Sequence, residues 1–114
     1  MRRIAIAALL LLPALAFGQA VTQQDRSGTI TLGGTAQVLA PAWSGRHACV
    51  IQNQSTGDLW VNATGTAAAT QPSFKIPAGG QYICGDGGQP GGASAGAISI
   101  FGATTGQAFA AREW

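Results

Sequence analysis

GAISIFGATTGQAFAAREW (residues 96–114) decides how the chain is read. Two alternating runs flank a short polar turn, with Ile98 and Ile100 set against Ser99, so one side of each run is apolar. The stretch reads as a closing β-hairpin. GDLWVN (57–62) repeats the pattern, with Leu59 and Val61 on one face and Trp60 and Asn62 on the other. From Gly28 onward, clusters of Gly, Pro, Asn or Ser recur every eight to twelve residues, the spacing of a sandwich or barrel. Strands are expected over 29–32, 36–39, 48–53, 59–62, 73–76, 81–84, 97–101 and 107–113. No segment beyond the N-terminal region holds a 3.6-residue apolar period, and the helix-prone tract TGTAAATQP (64–72) is short and broken by Pro72. The fold class is therefore all-β: a single small β-sandwich, jelly-roll-like or Greek-key, of about eight short strands.

The first twenty residues, MRRIAIAALLLLPALAFGQA, stand apart. Arg2 and Arg3 precede an apolar run, Pro13 breaks it, and small residues follow. That is the design of a secretory signal peptide, with cleavage after Ala20 or, alternatively, after Ala16. The apolar run is short for a membrane span, so export outranks a retained anchor. The domain expectation is a leader over 1–20, a flexible polar arm over 21–27 (VTQQDRS) and the sandwich over 28–114. The location expected is periplasmic or extracellular, with no membrane association once the leader is gone.

Charge narrows the partners. The formal net charge of +2 comes from Arg2 and Arg3. Beyond residue 20, Arg26, Arg46, Lys75 and Arg112 balance Asp25, Asp58, Asp86 and Glu113. No basic patch exists to neutralise phosphates, so nucleic acid is not an expected partner. So few charges protect solubility weakly, and burying surface in a homo-oligomer or a larger assembly would relieve that. Cys49 and Cys84 suit an oxidising compartment. Paired, they close a loop of 35 positions and contribute roughly 3–4 kcal/mol; unpaired, they are two buried thiols.

The reactive side chains form no recognisable catalytic pattern. GASAG (92–96) matches the nucleophile-elbow spacing, yet a Gly- and Pro-rich tract precedes Ser94 and a strand follows it, where the elbow needs strand then helix. His47, in GRHACV, is the single histidine and has no orienting carboxylate nearby in sequence. Two cysteines and one histidine are too few for a zinc site, and GDGGQPGG (85–92) holds one Asp and does not recur. No cofactor, metal or catalytic residue is expected. NQS (53–55) and NAT (62–64) are glycosylation sequons that read equally as turns after strands. Trp43, Trp60 and the Gly-rich 85–96 segment could form a glycan-binding surface, with filling of core or interface as the plainer reading. Arg112, Glu113 and Trp114 read as the polar rim and aromatic anchor of a subunit contact.

GTITLGGTAQVLAP (28–41), VIQNQSTGDLWVN (50–62), PSFKIPAGGQY (72–82) and the closing stretch together resemble a group of small tailed-phage and prophage virion-associated proteins. The resemblance spans 28–114. It implies a compact β-sandwich on a capsid or tail, a decoration or accessory part with no catalytic residues. The export leader and the cysteine pair depart from that pattern. Two functions follow: a non-enzymatic structural module that assembles on a phage particle, or an exported carbohydrate-binding or adhesive module.

Overall fold

A computed structural model describes residues 22–85 and 95–114. The expected leader, both cleavage points, Asp86 and Ser94 lie outside the described residues. Nine strands are described: β1 (Gln24–Asp25), β2 (Gly28–Thr29), β3 (Gln37–Ala40), β4 (Cys49–Asn53), β5 (Leu59–Asn62), β6 (Phe74–Ile76), β7 (Gln81–Cys84), β8 (Ile98–Gly102) and β9 (Ala108–Glu113). All pairings are antiparallel. The first sheet runs β1-β9-β4-β7, with β2 also on β9, and the second runs β3-β8-β5-β6.

β1 and β2 are two halves of one edge strand. Gln24 and Asp25 stand opposite Glu113 and Arg112, and Gly28 and Thr29 opposite Phe109 and Ala108. In the gap, the Arg26 amide donates to the Ala111 carbonyl at 2.8 Å. The Ala111 amide donates to Ser27 Oγ at 3.0 Å, so a side chain stands in where the ladder breaks. The stretch expected to be a loose arm is thus paired over 24–29, and 31–32, expected as strand, belongs to a turn. With β1 and β2 counted together, the order is first-eighth-third-sixth over second-seventh-fourth-fifth. That is the two-Greek-key jelly roll.

Among the described strands, with β1 and β2 taken as one, only β5 and β6 are sequence neighbours paired in one sheet, and every other connection crosses between the sheets. The closing hairpin is therefore corrected: β8 is central in the second sheet and β9 in the first. The reason is burial. Ile98 and Ile100 of β8 meet Phe109 and Ala111 of β9 across the interior, where side by side they would share one half-covered face. Gly102, at the end of β8, is closely packed, since a Cβ there would fall 2.8 Å from Ile30 Cγ1 and 2.9 Å from Leu59 Cδ2. Ile30, Ile51, Leu59, Val61 and Ile76 complete the core. At one open side, the Phe74 and Tyr82 rings lie 5.6 Å apart and join β6 to β7. Partial burial raises the Tyr82 hydroxyl's pKa. The helix-prone tract after β5 forms no helix.

Candidate functional site

Alternation along β9 places Phe109, Ala111 and Glu113 on the inner face and Arg112 outside. Glu113 is accordingly fully buried, which corrects its expected place on a surface rim. Its carboxylate lies between two guanidinium groups. Arg26 Nε donates to Oε1 at 3.0 Å and Arg46 Nε to Oε2 at 2.8 Å. The Arg46 side chain is itself fully buried and also donates to the Pro41 and Gly96 carbonyls, both at 2.7 Å. One ion network thus ties together the N-terminal edge strand, the loop before β4, the segment before β8 and the last strand. Buried charges need this degree of pairing to be tolerated. The signal was available in sequence, because residues 109, 111 and 113 share one face of any strand.

The other members of the expected rim are outside the network. Arg112 is exposed and faces Asp25 across the ladder. Asp25 has its pKa lowered, chiefly by the Ser27 side chain, then by the Ser27 amide donating at 2.9 Å, with Arg112 adding a smaller pull. Trp114 is half-buried, and its backbone pairs with Ala48 and accepts from the His47 amide. His47 is exposed. Among the described residues, no three His, Cys, Asp or Glu side chains gather as a metal site would require.

Trp43, Trp60 and Trp114 are carried by different parts of the fold: the loop before β4, β5 and the residue after β9. Trp60 lies on the outer face of the second sheet, opposite Phe101, with Lys75 beyond it on β6. The Trp43 amide donates to the Ala95 carbonyl, in the segment before β8 and six positions before Phe101. Phe101, which no sequence motif marks, is the aromatic neighbour Trp60 acquires. The rest of the 85–96 segment, from 86 to 94, lies outside the described residues.

Cys49 and Cys84 are bonded. They stand directly opposite each other on β4 and β7 with Cα atoms 4.9 Å apart, a separation that suits a disulfide. The alternative of two free thiols is excluded.

Both sequon asparagines end a strand and cap its exit in the same way. Asn53 Oδ1 accepts from the Ser55 amide (2.9 Å) and hydroxyl (2.7 Å), and Asn62 Oδ1 from those of Thr64 (2.8 and 3.0 Å). Each side-chain amide then donates four residues on, to the Gly57 carbonyl at 2.7 Å and the Thr66 carbonyl at 3.4 Å. Asn53 donates to the Ile76 carbonyl as well. Both side chains are buried, so the N-x-Ser/Thr spacing serves as an Asx turn.

Comparison of the chain with protein-family models, with curated proteins and with solved structures finds no match. The disulfide, and the lack among the described residues of a helix long and apolar enough to cross a membrane, are compatible with an exported protein.

Proposed function

We propose that this protein is a non-enzymatic structural module, a phage-related virion decoration or accessory protein that assembles through its β-sandwich surface. One observation carries the reading. Three edge strands each display a large apolar side chain: Val38 on β3 (64 % exposed), Phe74 on β6 (61 %) and Ile83 on β7 (56 %). Edge strands of monomers are ordinarily blunted by charge, and these three carry only Lys75. Association would bury those side chains. Size-exclusion chromatography with light scattering is expected to give a closed oligomer, and co-sedimentation is expected to show attachment to phage particles. A strict monomer at high concentration that binds no particle overturns the reading.

The second reading, an exported carbohydrate-binding module, is favoured by the Trp60–Phe101 pairing with Lys75 alongside. Exposed aromatic faces stack on sugars. A glycan array with Trp60→Ala as control tests it: signal lost with the indole supports it, and a blank array from folded protein removes it.

A further inference from the structure

The Glu113 carboxylate meets two guanidinium groups, Arg46 fully buried and Arg26 with its side chain 30 % exposed. The neighbouring acid, Asp25, stands opposite Arg112 and hydrogen-bonds Ser27. Arg26 commits Nε and one terminal nitrogen to Glu113 Oε1, and its remaining N–H groups have no partner among the described residues. A guanidinium held in this way loses little freedom when it binds an anion.

Arg26 lines a hollow of about 310 Å³ with Gln24, Pro41, Ala42 and Trp43. That volume sits at the small end of ligand sites, roughly 300–1,000 Å³, and has room for one ring. Trp43 is fixed as a wall: a Cβ on Gly45 would come within 2.9 Å of its indole Nε1 and 3.3 Å of Cε2, so the ring lies directly on the glycine backbone. The hollow therefore combines a preset guanidinium, an aromatic plane and a carboxamide.

We propose that this hollow binds a carboxylate-bearing saccharide of the uronate class. The carboxylate pairs with the free edge of Arg26, the C–H face of the sugar ring lies against Trp43, and a ring hydroxyl meets the Gln24 amide. A planar carboxylate matches the guanidinium fork, and a neutral sugar has no group that does. The site differs from the Trp60 face.

The test is a titration of the purified protein with a galacturonate trisaccharide and its neutral galactose counterpart, followed by amide and indole NMR shifts. Saturable shifts at Gln24, Arg26 and the Trp43 indole are expected with the uronate alone, weakening as salt rises. Trp43→Ala and Gly45→Ala are each expected to weaken binding about tenfold or more, with Trp60→Ala without effect. Absence of saturable shifts at concentrations on the order of 10 mM overturns the proposal. Equal binding of the neutral sugar, wild-type affinity in Trp43→Ala, or preference for a peptide C-terminal carboxylate over the uronate does so too. A glycan signal lost only with Trp60 would leave the second functional reading standing while removing this one.

Discussion

Glu113 ties one end of the sandwich together by sharing its carboxylate between Arg26 and the buried Arg46. Glu113→Gln keeps the shape and removes the charge, leaving a buried guanidinium without its counter-ion. A loss of about 3–5 kcal/mol is expected in urea denaturation. Arg26→Ala is expected to cost less, because that side chain is part-solvated and screened. Asn53 offers a second residue-scale test. Asn53→Asp swaps a donor to the Gly57 and Ile76 carbonyls for a buried carboxylate facing them, and should destabilise by about 2–3 kcal/mol or more by the same assay. The exposed Asp25 gives the pH dependence. Its pKa is lowered in the folded protein, so its contribution is present above the ordinary value of 3.8 and is lost as pH falls through the lower, folded value. Carboxyl NMR should find Asp25 titrating below that value and moving up toward it in Ser27→Ala.

Among the elements, β7 is an edge strand of the first sheet. It has a single sheet neighbour, β4, and two further ties, the Cys49–Cys84 bond and the Phe74–Tyr82 contact. Replacing both cysteines with serine should therefore cost roughly 3–4 kcal/mol. The larger signature is local: amide exchange should accelerate over 81–84 before it does in β9, which has neighbours on both sides. Uniform acceleration across both sheets would show that the disulfide acts on global stability alone. Gly102, at the end of β8, lies close against the core. Gly102→Ala would press on Ile30, Leu59 and the Gln107 side chain together. Gln107 has little room to retreat, since it donates to Ser55 Oγ and the Asp58 carbonyl and accepts from the Thr104 amide.

At the scale of the whole molecule, the jelly roll spends its charged side chains unevenly. Two arginines and a glutamate bind the end of the sandwich internally, and the outer faces keep only a few charges beside exposed Val38, Phe74 and Ile83. A surface of this kind favours association. If the edges carry it, Ile83→Lys and Val38→Lys should shift the light-scattering mass toward monomer while leaving stability within about 0.5 kcal/mol, since neither side chain is in the core. An unchanged oligomer in both variants would move the contact elsewhere on the surface.

Period-two alternation, turn punctuation and the missing helical period were enough to read an all-β chain, and they placed seven of the expected strands within a residue or so of those described. Each depends only on neighbours along the chain: whether a side chain points in or out is settled by the pleat. Strand partners are not settled in that way. Residues 96–114 have the local pattern of a hairpin, and only competition among all the apolar faces sends β8 and β9 to opposite sheets. The pleat puts Glu113 on the face of Phe109 and Ala111, but the same competition brings Arg26 and Arg46 to it from 87 and 67 positions away and sets Cys49 against Cys84. Local sterics determined the elements; long-range burial, which has no trace in any short window, determined which of them meet.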